Sequence, residues 1–234
     1  MWRRYVMALL TLAVPLISCP SLAANSWATV AAWPDFQGGI WLQQRGPQVA
    51  NDAPAYVPAV AARLAAIGPI RPETLGNAYC TPVAGPFERI GEFFYSRDVI
   101  LIMMDEDYLS VRQVFMDGRD HGDPDLSYYG HSVGRWEGKT LVVDTVGFLP
   151  EVTIAPKVSG EGATHSIERF SLVGPDTLEM KLTIENSKVL TKPWTSTQRY
   201  RLRRDLHVQE AECSQNNRDL PVDGEANINL SEPQ

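Results

Sequence analysis

Residues 87 to 213 are a succession of short segments rich in β-branched and aromatic residues, parted by tight-turn chemistry. That rhythm limits the folds open to the chain. The segments are 87–95, 98–104, 108–116, 128–136, 140–148, 164–173, 177–185, 196–202 and 206–213. Asp105-Glu106-Asp107, Glu137-Gly138, Gly174-Pro175-Asp176 and Arg203-Arg204-Asp205 separate several of them, and such residues favour reverse turns. Successive strands with hairpin-sized connections predict a mainly all-β fold, a single antiparallel meander closing into a lipocalin-like barrel. Ahead of it, residues 36–43 read as a first strand with a glycine bulge. The alanine-rich stretch 57–67 reads as one short helix stopped by Gly68-Pro69, and the proline-rich residues 68–86 as an extended loop.

The first 23 residues read as a signal peptide. A basic start, an apolar run from Val6 to Ile17 and the small residues Ser21-Leu22-Ala23 fit that pattern. The run is shorter than the ~20 residues of a membrane-spanning helix, so no integral span is expected. Leu16-Ile17-Ser18-Cys19 also resembles a lipobox, the alternative being a chain anchored through Cys19; Pro20 favours soluble export to the periplasm or medium. Residues 24–216 then form one barrel domain and 217–234 a polar tail. Export leaves Cys80 and Cys213, which are expected to pair in an oxidising compartment. So long a closed loop contributes ~4–5 kcal/mol in the chain-entropy account. Loss of Arg3 and Arg4 leaves 19 basic and 28 acidic residues, net −9. Such a surface repels phosphate backbones, so nucleic acid is not an expected partner.

The stretch YYGHSVGRWEGKTLVVDTVGF, residues 128–148, carries the main chemical signal. With Glu137-Gly138 as a two-residue turn, His131 falls opposite Asp144, Val133 opposite Val142 and Arg135 opposite Thr140, all on one face. A carboxylate facing an imidazole fixes its tautomer and raises its basicity, which suits a general base. The expectation is that this face lines the barrel. The second hairpin, turning at Gly174-Pro175-Asp176, sets Leu172 against Leu178, Phe170 against Met180 and Glu168 against Leu182. Glu168 therefore lands on an apolar face, where a carboxylate needs a partner such as Arg112 or Arg135. His165 points the other way, toward Glu185. The acidic loop 117–125 brings Arg119 and His121 to the barrel mouth. Its carboxylate spacing does not match a calcium loop, and the four histidines show no zinc-ligand spacing. No metal or other cofactor is expected. Glycine-rich phosphate loops, dinucleotide fingerprints and Gly-x-Ser-x-Gly elbows are absent from the sequence.

MDGRDH (116–121), GHSVGRWEGKTLVVDTVGF (130–148), HSIERF (165–170), TKPWT (191–195) and ECSQNNRD (212–219) together resemble a large, mostly uncharacterised family of exported bacterial β-rich proteins. The likeness spans about residues 36–219. It departs from the family pattern at Lys139, Gly122 and Gln215, and the segment before His165 is shorter. It implies fold and export, and makes His121, His131, Arg135, Asp144, Glu168 and Trp194 motif positions.

Three functions follow as expectations, the last in order being a purely structural envelope component with its charges paired on a surface. One is a cofactor-independent lyase or isomerase acting by proton transfer on a small hydrophobic or aromatic oxygenated molecule. His131 is its base, oriented by Asp144, with Arg135 on a developing oxyanion and Glu168 as proton donor. His121, Arg119, Tyr129 and Trp194 bind the substrate. The alternative is a lipocalin-like protein that binds such a molecule without turnover.

Overall fold

The computed structural model describes residues 32–44, 53–67, 90–105, 109–155 and 158–208. The elements are β1 (Ile40–Gln43), α1 (Pro58–Ile67), β2 (Ile90–Tyr95), β3 (Val99–Asp105), β4 (Leu109–Phe115), β5 (His131–Glu137), β6 (Thr140–Val146), β7 (Thr153–Ala155), β8 (Val158–Ser159), β9 (His165–Gly174), β10 (Thr177–Glu185) and β11 (Trp194–Arg203). Nine strands form one sheet in the order β1-β11-β10-β9-β6-β5-β4-β3-β2. Its end strands β1 and β2 pack beside each other, so the sheet curls into a nearly closed barrel. β7 and β8 make a small hairpin within the β6–β9 connection. The all-β, barrel-like architecture with one short helix is as the sequence predicts. Among the described residues no helix is long and apolar enough to cross a membrane.

The meander has one exception. β4 and β5 pair in parallel, through Val114 opposite Ser132 and Phe115 opposite Val133. Two parallel neighbours cannot be joined by a tight turn, and residues 116–130 supply the crossover. The strand expected at 206–213 does not begin where predicted: residues 206–208 are irregular, and the remainder lies outside the described residues. The signal peptide, Cys19, Cys80 and Cys213 lie outside them as well. The first strand starts only at Ile40, because Gly38 and Gly39 both take positive φ (92° and 152°) and bend the chain first.

Alternation along the strands puts Phe93, Leu141, Val143, Phe170, Leu178, Met180, Leu182 and Tyr200 inside, all buried. Phe36 lies edge-on to Phe93 at 5.3 Å between centroids, and Phe93 edge-on to Phe170 at 5.7 Å. Such ring pairs add about 0.5–1.5 kcal/mol each beyond their buried area. α1 covers one side with Val60 buried, tied down where Val57 N donates to the Val189 carbonyl at 2.9 Å.

The two long hairpins differ in what their sequence revealed. In β9–β10, Leu172 faces Leu178, Phe170 faces Met180 and Glu168 faces Leu182, the register expected. In β5–β6 the pairing is shifted by two residues: Glu137 faces Thr140, Val133 faces Asp144 and His131 faces Val146. The turn is Gly138-Lys139, not Glu137-Gly138. Gly138 takes φ +62°, as the first central residue of a type II′ turn must. A two-residue shift keeps every side chain on its expected face, so His131 and Asp144 remain on one side of the sheet.

Candidate functional site

That side is the outer one. The inner face of β5–β6 is Ser132, Gly134, Leu141, Val143 and Thr145, all buried, with the Ser132 and Thr145 hydroxyls sharing a 2.8 Å hydrogen bond. Once this pair satisfies its own hydroxyls, the polar-looking face can go inward. Gly134 drives the choice. A Cβ there would come within 2.4 Å of Met116 Sδ and 2.7 Å of Val114 Cγ1, so β5 presses its glycine face against β4 from within. The expectation that His131 and Asp144 line the interior is therefore corrected. Their face is nevertheless not bare, since Val142 on it is fully buried.

The crossover 116–130 builds a site on that outer face. It leaves β4 through Gly118 and Gly122, both at positive φ, and returns along β6, where Ser127 N donates to the Gly147 carbonyl at 3.0 Å. It enters β5 through Gly130 at φ +65°, where a Cβ would lie 2.5 Å from the Val146 carbonyl oxygen. Gly130→Ala is therefore expected to cost about 1–3 kcal/mol and to displace His131, measurable by denaturant unfolding and by the His131 ring resonances.

Within this frame the side chains form a chain of hydrogen bonds. His131 Nδ1 lies 2.9 Å from His121 Nδ1. His121 Nε2 lies 3.0 Å from Asp144 Oδ1, and His165 Nε2 lies 2.9 Å from that same oxygen. His165 Nδ1 lies 3.2 Å from Glu185 Oε2. All are partly exposed, from 23% for the His121 side chain to 48% for Glu185. The proton logic follows from the donor and acceptor atoms. His121 Nε2–H donates to the carboxylate, so in the neutral ring its Nδ1 accepts from His131 Nδ1–H. His131 Nε2 is then left with the free lone pair. While the Nδ1 contact lasts, the two rings together take up only one further proton.

His131 stacks on Phe115, with centroids 5.2 Å apart and planes 28° apart. The Arg119 guanidinium lies 3.9 Å from the centre of the Phe115 ring, and it also donates to Asp117, at 2.9 Å from Nε. Burial, then the positive charge available at His121 and Arg119, hold the His131 proton affinity below the ordinary histidine value. Arg119 in turn draws Asp117 down to about 2. His131 thus rests as the neutral base.

The other predicted site residues separate from this cluster. Arg135 stands four residues along β5, about 13 Å away. It is exposed and bonded to Glu137 at 2.8 Å, too far to meet an oxyanion at His131. Glu168 is on the inner face, 2% exposed, and accepts from Arg112 Nη2 at 2.6 Å across the barrel. It cannot share a substrate with His131 through the sheet. Trp194, opposite Ile184 on β11, belongs to the inner face, and both it and Tyr129 beside Gly130 pack against the core. His121 and Arg119 do reach the site, as members of the relay and the stack.

His165 and Glu185 are the residues that sequence reasoning missed. Their mutual facing was legible, but their membership needed the β6–β9 pairing, which sets Asp144 opposite Ile167 and thus diagonal to His165. Among the described residues no group of three or more histidines, cysteines and carboxylates takes a metal-holding arrangement. A groove of about 600 Å³, lined by Trp33, Pro34, Lys139, Leu172, Val173 and Pro175 among others, lies at the opposite end of β5–β6. Strand length separates it from the relay. Compared with protein-family models, curated proteins and solved structures, the chain has no match.

Proposed function

We propose that this protein is an enzyme of the isomerase or lyase kind, exported in its mature form, which moves a proton on a small hydrophobic or aromatic oxygenated molecule. The observation that carries the reading is the relay from His131 through His121 to Asp144. His131 Nε2 takes a proton from a carbon or hydroxyl beside a carbonyl. The His131 Nδ1 proton shifts to His121 Nδ1, and the cation so formed rests against Asp144, which disperses its charge without being protonated. Return of the proton to another atom completes an isomerisation, and departure of a leaving group completes an elimination. Phe115, stacked on the ring, offers apolar surface beside the base. Arg135 and Glu168 have no part in the step.

The test is solvent-proton exchange. The purified mature protein is incubated in D₂O with a panel of oxygenated aromatic and aliphatic molecules, read by mass spectrometry for deuterium uptake and product. Exchange or turnover on at least one compound, lost in His131→Ala, is the expected result. Compounds that raise the melting temperature yet acquire no deuterium and form no product overturn the reading.

They would favour the second reading, a binding protein without turnover, for which the groove beside Trp33, Leu172 and Val173 is the supporting observation. The pH dependence is fixed by His131. Its depressed proton affinity keeps the base free as pH falls through 6.5, the unperturbed value, so the acid limb of kcat/KM lies below that pH. Arg119→Ala removes one cause of the depression and moves the limb upward.

A further inference from the structure

We infer that His165, clamped between Asp144 and Glu185, is the positioning residue of the relay: it pins Asp144, shares its Oδ1 with His121, and so limits how strongly that oxygen draws a proton onto the His121–His131 pair. The inference rests on the proton-relay reading of the same site for its catalytic meaning, but its physical content stands without a substrate.

Both nitrogens of His165 face carboxylate oxygens, Nε2 at 2.9 Å from Asp144 Oδ1 and Nδ1 at 3.2 Å from Glu185 Oε2. Both can donate only when the ring is the imidazolium. Asp144 Oδ1 accepts from two rings at once, from His121 as well as from His165. Each donor weakens what that oxygen offers the other. A neutral donor at 165 would leave the full carboxylate charge for His121, and protons would then collect on the relay at rest. A relay that is already protonated has no base. His165 therefore tunes the cluster through Asp144 without touching the atom that takes the substrate proton.

The charged groups around the pair can be named element by element. Asp144 comes from β6, His165 from β9 and Glu185 from β10. From the crossover come His121 itself and Arg119, the latter bonded to Asp117 and also influenced by Asp98. Arg119, paired with Asp117, acts on His131 directly, whereas His165 reaches the pair through Asp144.

The experiment is a ring-nitrogen NMR titration of the assigned histidines in wild type, His165→Gln and Glu185→Gln, with no substrate present. Glutamine keeps an N–H donor for Asp144 but cannot take up a proton, so charge is separated from contact. The His121–His131 titration is expected to move up by about one pH unit in His165→Gln, and by less, in the same direction, in Glu185→Gln. Arg169→Gln, an outer-face cation bonded to Glu137 away from the relay, should leave it unmoved. An unchanged or downward titration in both His165→Gln and Glu185→Gln, with amide spectra showing folded protein, overturns the inference. If the titrations move as expected but His131→Ala still turns over substrate, the inference stands and the relay mechanism falls. In an active enzyme the acid limb of kcat/KM in His165→Gln should rise with the titration while KM stays within twofold.

Discussion

Glu168→Ala should lower the unfolding free energy by about 3–5 kcal/mol, seen as a large fall in the urea midpoint at unchanged m-value. The reason is what it leaves behind. Arg112 is 4% exposed, its Nη2 bonds Glu168, and its Nε is buried with no partner among the described residues. Deleting the carboxylate strands a buried guanidinium on β4, opposite the fully buried Ile102 of β3. Tyr200 registers the same field: burial first, then the Glu168 charge, push its hydroxyl proton affinity up. Arg112→Met should cost a similar amount through the unpaired carboxylate. The double variant, Arg112→Met with Glu168→Leu, should recover most of the loss or exceed wild type, because a buried pair repays its desolvation only partly. A double variant as unstable as the sum of the singles would show that the two side chains act separately. Relay geometry should survive in the double variant, since the pair lies on the far side of the sheet.

Turnover in His131→Ala should fall by about 10²–10⁴-fold, the usual worth of a positioned general base, with little change in stability. His131 is partly exposed, and the His121–Asp144 and His165–Asp144 bonds remain when it is removed. Asp144→Asn should fall comparably, because an amide reorients or neutralises the rings on either side of it. Arg135→Ala is the informative control. It shares the face and the strand but, among the described residues, bonds only Glu137 at the turn end, so its kcat/KM should stay within twofold of wild type. Equal losses in Arg135→Ala and His131→Ala would move the site toward the turn and away from the relay.

The residues differ in how openly they state their place. Leu178, Met180, Leu182 and Ile184 alternate without exception, and Gly174-Pro175-Asp176 closes their hairpin, so register and the inward Glu168 could be read directly. The β5–β6 hairpin offers two adjacent turns around one glycine, and both give the same facing. Which face goes in was hidden because each carries a mixture: valines accompany His131 and Asp144, while Ser132 and Thr145 look solvent-facing until they bond to each other. The relay itself was illegible for a geometric reason. His121 reaches it from an irregular crossover and His165 through the β6–β9 pairing, two long-range arrangements that no local pattern encodes.

The parallel contact between β4 and β5 has a mechanical consequence. With only two paired positions, it is the slender seam along which the wall divides into a β2–β4 flap and the remaining strands. The crossover spans that seam, and His121 is its rivet, fastened at both ring nitrogens to His131 and Asp144 on the far bank. Amide exchange should therefore be faster at Phe115, whose N–H points to β5, than at Val114, whose N–H points to β3, and faster still at Phe115 when His121 is replaced. The first proton that acid adds to the facing imidazoles silences the base, and a second breaks the Nδ1 contact and loosens the wall.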